Sequence, residues 1–332
     1  IIDGCGKTKT FYLPITRIIA ADDGQGVTLR VFGIEDLVVG VGGGLLHSVT
    51  ILPEMSKQPI IGTSGPGGIG TIDYEKVLTL EPDIFFTYIH TPPQEELEEI
   101  LEPHGIQVLR LEFGTVSEIA QDMIKLGYLL GKQDKAEEFI DWYEEYLSTI
   151  KSRTEGLSED EKPQVFIEFA YLEGGWTCSK GSSLDERCTM AGGVNIAHDL
   201  VGSGPWLEFP VVEPEWVLEQ NPDIVIKPTF GGDWGYETDD PSEMEAVREE
   251  TMKRPGWRDI TAVKGGDIYI VSGDIVWTLH MVVMVPYMAK WFHPELFDAL
   301  DPEAIHQEFI DEFLRIDYDL DEHGVFVYPP LE

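Results

Sequence analysis

Asp73-Tyr-Glu75-Lys-Val77-Leu78-Thr-Leu-Glu-Pro82-Asp83-Ile84 returns 140 residues later as Glu213-Pro-Glu215-Trp-Val217-Leu218-Glu-Gln-Asn-Pro222-Asp223-Ile224. Each copy reads as a short helix carrying a Glu, a Pro-Asp turn and an apolar strand. Proline ends the helix, and the Asp side chain can bond its own backbone to hold the turn. One Pro-Asp-Ile could recur by chance. The shared Glu, Val-Leu and Pro-Asp-Ile in one register point instead to two related halves of one βα architecture.

The surroundings of each copy agree. Before the first come apolar runs at Arg17–Ala21, Val27–Phe32, Asp36–Val41 and Pro59–Gly62, read as strands between turns, and a Gly-rich loop at 62–70. After it come strand Ile84–Tyr88, helix Gln94–Leu101 and strand Gln107–Leu111. Strands alternating with short helices predict a parallel sheet. Around the second copy lie strand Val165–Phe169, helix Ser183–Met190, strand Ile224–Lys227, strand Asp267–Val271 and a C-terminal helix Ala304–Phe313.

Residues 115–153 differ. Thr115-Val-Ser-Glu118 is a capping-box pattern, and Ile119, Met123, Leu126, Leu129 and Leu130 follow at helical spacing. A second helix begins near Asp134, and the polar stretch 154–163 reads as a linker. At roughly 150 residues per domain, the 332-residue chain has room for two domains. The expected division is an N-terminal α/β lobe over 1–114, a helical connector over 115–156, and a C-terminal α/β lobe with a final helix over 157–332. The expected fold class is α/β: two Rossmann-like lobes with central, mostly parallel sheets, joined by a long helical backbone. A ligand cleft is expected between the lobes, where strand carboxyl ends and domain interfaces favour binding.

Sixty-one acidic residues against 23 basic ones give a formal charge of -38, with no basic patch. Nucleic acid and anionic membrane are therefore excluded as partners. The acids suit a solvated surface or, more sharply, a cationic ligand. Cys178 and Cys188 lie ten residues apart, a spacing open to a disulfide or to two buried thiols, and Cys5 stands alone. No CxxC, HExxH, Gly-x-Ser-x-Gly or EF-hand loop occurs, so neither a metal site, a cofactor nor a catalytic set is expected. Gly4-Cys5-Gly6-Lys7-Thr8 lacks the preceding strand and Gly of a P-loop. No stretch approaches the 18 apolar residues of a membrane span, and Ile1 opens the chain without a leader pattern, as if one had been removed.

The ligand candidates sit after the expected strands. They are aromatic: Tyr88, Tyr171, Trp176, Trp206, Phe230, Trp234 and Trp277. Such a set suits a flat, conjugated or chelated ligand. His90 follows the strand at 84–88, and His47 follows the Gly42–Gly44 turn. Gly67 and Gly68 would let backbone approach a ligand. Lys227 is the one basic residue at a strand end, placed to meet a ligand carboxylate or phosphate.

Ile2-Asp3 through Gly6-Lys7-Thr8, Arg17-Ile18-Ile19, Asp36 to Val41, Gly62 to Gly70, Ala191-Gly192-Gly193-Val-Asn195 and Val263 to Tyr269 occur in an order that resembles one family. It is the substrate-binding proteins of ABC importers for iron-siderophores, haem and cobalamin. The resemblance implies a monomer outside the cytoplasm, in the periplasm or anchored to the outer membrane face, delivering a metal chelate to a permease dimer and its ATPase. It implies that Glu75 and Glu215 dock into Arg pockets of that permease, and that closure of the lobes is small. The paucity of Arg in the candidate loops favours a neutral or cationic chelate, a corrinoid or a haem-like ligand. The rival readings are a two-lobed chelatase-like or metal-cofactor enzyme and a ligand-sensing ectodomain.

Overall fold

A computed structural model describes residues 1–65, 68–89, 94–170, 175–203, 207–229 and 234–331. The chain divides into two units. One comprises Ile1–Trp142 with Ile310–Asp317, the other Tyr143–Phe309 with Tyr318–Glu332.

The first unit carries β1 (Ile18–Ala20), β2 (Val38–Val41), β3 (Gly62–Gly65), β4 (Gly68–Ile72), β5 (Ile84–Thr87) and β6 (Gln107–Arg110). Four of these form a parallel sheet in the order β2-β1-β5-β6, while β3 and β4 form a separate antiparallel hairpin. The second unit carries β7 (Gln164–Ile167), β8 (Val194–Asn195), β9 (Ile224–Pro228), β10 (Ile268–Val271) and β11 (Val327–Tyr328). Their order is β11-β10-β9-β7-β8, parallel except for β11 at the edge. Stripped of β11, the second sheet repeats the first: β8-β7-β9-β10 against β2-β1-β5-β6.

The repeated sequence supplies the same joint to both sheets. Helices Tyr74–Leu80 and Pro214–Gln220 end on Glu81 and Asn221, both left-handed, with φ of 44° and 47°. Asp83 Oδ2 then accepts from the backbone N–H of Thr16 and Arg17 at 2.7 and 3.0 Å, and Asp223 Oδ2 accepts from that of Gln164 at 2.9 Å. Each Asp thus stitches the head of its own strand to that of the neighbour. Val77 and Val217 are the buried residues of the two helices. Val77 joins Ile19, Phe85 and Val108 in one core, and Val217 joins Phe166, Val225 and Ile268 in the other.

Several expectations are corrected. Val27–Phe32 is not a strand: residues 27–31 lie in helix Asp23–Val31, whose face is buried almost throughout, so the apolar run lacks helical periodicity. Pro59–Gly62 forms only a bridge from Ile60 to Val41 before β3 begins. The span 115–156 is not a separate connector. Helix Val116–Leu130 and the first half of helix Gln133–Thr154 belong to the first unit, and the boundary cuts that second helix after Trp142. Asp122 explains part of this, since its Oδ2 accepts from the backbone of Glu112 and Phe113 at 3.2 and 3.4 Å, tying the helix to the exit of β6. The expected C-terminal lobe also loses 310–317 to the first unit. Helices Ser242–Met252 and Met281–Phe292 are additional to the expected elements; the second has all but one residue buried, so no polar face marks it. Cys178 and Cys188 are free, buried thiols.

Candidate functional site

In the first unit the carboxyl ends of the parallel strands gather Asp22 and Asp23 after β1, Gly42–His47 after β2, Tyr88 after β5 and Glu112 after β6. The close approach of these segments depends on glycine. A Cβ on Gly42 would stand 1.8 Å from the Ala21 carbonyl oxygen, and one on Gly44 would stand 2.0 Å from Asp22 Oδ1. Asp22 begins helix Asp23–Val31 without using its side chain as a cap. Asp23 Oδ1 accepts from the Gly24 N–H at 2.7 Å, and Ser48 Oγ donates to Asp23 Oδ2 at 3.5 Å. Burial, then the charge of Asp23, pushes the Asp22 carboxyl well above the usual carboxylate range. Burial raises Asp23 too, opposed by its Gly24 and Ser48 bonds and by His47.

Tyr88 lies beside this pair. Burial, then the charges of Asp22, Asp23 and Glu112, holds its hydroxyl protonated well beyond the ordinary tyrosine range. Its backbone is fixed from behind. The wholly buried Arg110 forks onto Glu98 at 2.9 and 3.0 Å, and its Nη1 donates to the carbonyls of Tyr88 and Ile89 at 2.9 and 3.3 Å. Glu112 accepts from the Ile89 N–H at 3.1 Å. A bidentate, charge-assisted anchor of this kind sets the direction in which the chain leaves β5.

In the second unit the aromatic expectations divide. Trp277 is half-buried and stacks on Phe169 with ring centroids 6.2 Å apart, and Phe169 also meets Phe209 at 5.7 Å. Trp176 is half-buried and bridges to Val211. Trp234 packs against the core around Val225. Lys227 is corrected: it lies within β9, buried, with its ammonium on the Glu168 carboxylate. Arg254 Nη1 reaches both oxygens of that carboxylate at 2.7 Å. The lysine is thus part of an internal charge network. Gly68 opens β4 of the hairpin. Tyr171, Trp206, Phe230, His90 and Gly67 lie outside the described residues. Glu75 and Glu215 are exposed in the first turns of the matched helices.

Sequence reading passed over Asp22, Asp23 and His198. The first two follow β1 directly, the same strand-end signal that selects Tyr88, but they are not aromatic. His198 borders a cavity of about 310 Å³ with Lys180, Asp199 and Glu208. Its Nδ1 lies 2.9 Å from Asp185 Oδ2, and Asn195 Nδ2 donates to the other carboxylate oxygen at 2.8 Å. Among the described residues no group of three or more His, Cys, Asp or Glu side chains is arranged to hold a metal ion. Nor is any described helix long and apolar enough to cross a membrane.

Comparison with known proteins places these features in a family context. The sequence pattern of the family described as periplasmic binding protein matches residues 64–274. The chain is 25% identical over 317 residues to YvrC, an uncharacterized ABC transporter substrate-binding lipoprotein of Bacillus subtilis, covering 89% of this chain and 90% of that one. It is 24% identical over 210 residues to a vitamin B12-binding protein of Yersinia pestis, covering 63% and 68%. Among solved structures, the TroA-like periplasmic binding protein FepB of Veillonella parvula superposes with a TM-score of 0.81 at 25% identity over 98% of both chains.

Proposed function

This chain belongs to the periplasmic binding protein family, and from that premise we propose that it captures a metal chelate outside the cytoplasm and hands it to an ABC permease. The chelate class is a corrinoid, a haem or a ferric siderophore. The observation that carries this choice is the aromatic set at the strand ends of the second unit, Trp277 stacked on Phe169 with Phe209 behind and Trp176 half-buried. Aromatic faces of this kind suit the flat, delocalised surface of a chelate. The likeness to a vitamin B12-binding protein supports the same class. In this reading the chain binds its ligand without transforming it, as befits a binding-protein family.

Delivery falls to Glu75 and Glu215. Both are exposed, both occupy the second residue of matched helices, and the helices are copies of one sequence element. A pseudo-symmetric pair of carboxylates suits Arg pockets on a two-fold permease, where charge-assisted forks give geometry as well as affinity. The receptor works as a monomer in the periplasm or tethered to the outer face of the membrane.

Thermal unfolding with aquocobalamin, haemin and ferrioxamine B tests the ligand class. One of the three should raise the midpoint by several degrees at a hundredfold excess over its dissociation constant, since binding to the native state alone contributes about 2.7 kcal/mol there. No shift with any of them sinks the chelate assignment.

A further inference from the structure

Arg187 stands in helix Ser183–Met190, but its side chain reaches well beyond that helix. The residue is 1% exposed, and its Nη1 donates to the carbonyl of Val276, 89 positions along the chain. Burial pulls its guanidinium below the ordinary arginine value, so the core holds this cation against the penalty of desolvation. Val276 ends helix Gly273–Val276, and the residue after it is Trp277. The start of that helix is fixed by its own residues. Ser272 Oγ accepts from the Asp274 N–H at 3.2 Å, and Asp274 Oδ2 accepts from the Tyr236 N–H at 3.1 Å. At its end the backbone turns from helical to extended at Trp277, with φ of -112° and ψ of 161°. The indole departs there and stacks on Phe169, the ring planes 24° apart. The Val276 carbonyl and the Trp277 N–H belong to one peptide plane. Arg187 holds the carbonyl, and the N–H donates to the Gly273 carbonyl at 3.2 Å. Both polar ends of the plane that aims the indole are therefore engaged. The first unit uses a similar device, since the wholly buried Arg110 holds the Tyr88 and Ile89 carbonyls at the exit of β5. Arg110 lies on a strand and Arg187 on a helix, so the shared device is not part of the repeat.

We propose that Arg187 is a positioning residue for ligand recognition: it fixes the peptide ahead of Trp277, so that the indole is already stacked on Phe169 when a chelate arrives. The inference rests on the reading of Trp277 as a ligand contact and adds to it a residue that the ligand never touches. A ring set in place beforehand loses less freedom on binding than one that must first be ordered. Methionine at 187 would fill much of the same space and take this donor from the Val276 carbonyl. Lysine would keep the charge without the planar fork of the guanidinium.

The test uses the whole chain with Arg187→Met, Arg187→Lys and Trp277→Ala, singly and with each Arg187 change combined with Trp277→Ala. Affinities for aquocobalamin, haemin and ferrioxamine B are measured by titration. For the probe that the wild type binds, Trp277→Ala should weaken binding about tenfold and Arg187→Met about fivefold. In the Trp277→Ala background the Arg187 changes should alter affinity by less than about twofold, because no ring is left to position. A side chain needed only for folding would lower the thermal midpoint and treat both backgrounds alike. Near-ultraviolet circular dichroism supplies a readout without ligand: the Trp277 band, identified as the signal lost in Trp277→Phe, should shrink in Arg187→Met. Should Arg187→Met fail to fold, Arg187→Lys decides by the same comparisons. Equal losses in both backgrounds, unchanged affinity in the folded Arg187 variants, or an unchanged Trp277 band each overturns the positioning role and leaves Trp277 at the ligand. A Trp277→Ala variant that binds as tightly as the wild type removes Trp277 from the ligand, and the inference with it, but leaves the chelate receptor standing. Binding of none of the three probes removes the receptor reading and the inference together.

Discussion

Lys227 shows how a residue's role turns on its partners. At the end of an apolar run it looks like a cation waiting for an anionic ligand. In the fold its ammonium, 2% exposed as a residue, meets Glu168, and Arg254 shares the same carboxylate. Lys227→Met would leave Glu168 to Arg254 alone. It should destabilise the protein by about 2 kcal/mol, less than the 3–5 kcal/mol typical when a buried charge loses its only partner. Ligand affinity should stay unchanged; a fall in affinity at constant stability would restore the lysine to the ligand. His280 and His306 make a second case. Both are buried, with rings 6.4 Å apart, and His306 Nε2 lies 2.6 Å from the Tyr236 hydroxyl. Among the described residues His280 Nε2 and His306 Nδ1 have no partner. Burial pushes His280 down to about 3 and His306 well below its ordinary value, with His280 adding to the latter. The unfolded chain takes up these protons near pH 6.5, well before the folded one. The stability they contribute is therefore whole above about pH 6.5 and is lost as pH falls toward 3, by up to about 1.4 kcal/mol per pH unit for each ring. Denaturant unfolding between pH 7 and 4 measures that slope. His280→Phe, packed against Phe309, should flatten it; an equal slope in the variant would count against the buried pair as its source.

At the scale of elements, short-range chemistry explains most of what the chain does. Thr115 Oγ1 accepts from the Glu118 N–H while Glu118 Oε2 accepts from the Thr115 N–H, the box that the four-residue pattern predicts. Both copies of the repeated helix stop on a left-handed residue before Pro-Asp. Since the copies present Glu75 and Glu215 alike, the two carboxylates belong to one prediction. Replacing both by Ala should abolish uptake in cells and leave ligand affinity within twofold. Lost affinity would move them into the binding site. Elements without a polar face behave otherwise. Part of helix Asp23–Val31 looks like a strand, and Met281–Phe292 does not announce itself as a helix, because neither leaves a polar stripe to reveal its period.

For the whole molecule, net charge outweighs any single ion pair. Sixty-one acids and 23 bases leave the surface repelling itself. Raising NaCl from about 0.05 to 1 M shortens the screening length to about 3 Å, and should raise the unfolding midpoint by about 2–4 °C for each kcal/mol of repulsion screened. A midpoint that falls with salt would show instead that native ion pairs outweigh the repulsion.

Sequence alone determined the halves. Pro-Asp turns, capping boxes and strand ends are set by residues within a few positions of each other, so the repeat at 73–84 and 213–224 announced two related halves, whose common strand order only the fold shows. It also placed Tyr88 and Trp277 at strand ends and Glu75 and Glu215 on matched helices. Tertiary structure decided which charges are spent and which remain. Glu168 and Lys227 stand 59 positions apart, and Asp22 and Tyr88 come together only because β1 and β5 are neighbours in the sheet. Burial and pairing over such separations depend on partners that no local window contains. For that reason the cation expected at a ligand turned out to be internal, and the carboxylates around Tyr88 came to light only in the fold. The return of Ile310–Asp317 to the first unit is of the same kind, a consequence of packing that nothing in those eight residues specifies.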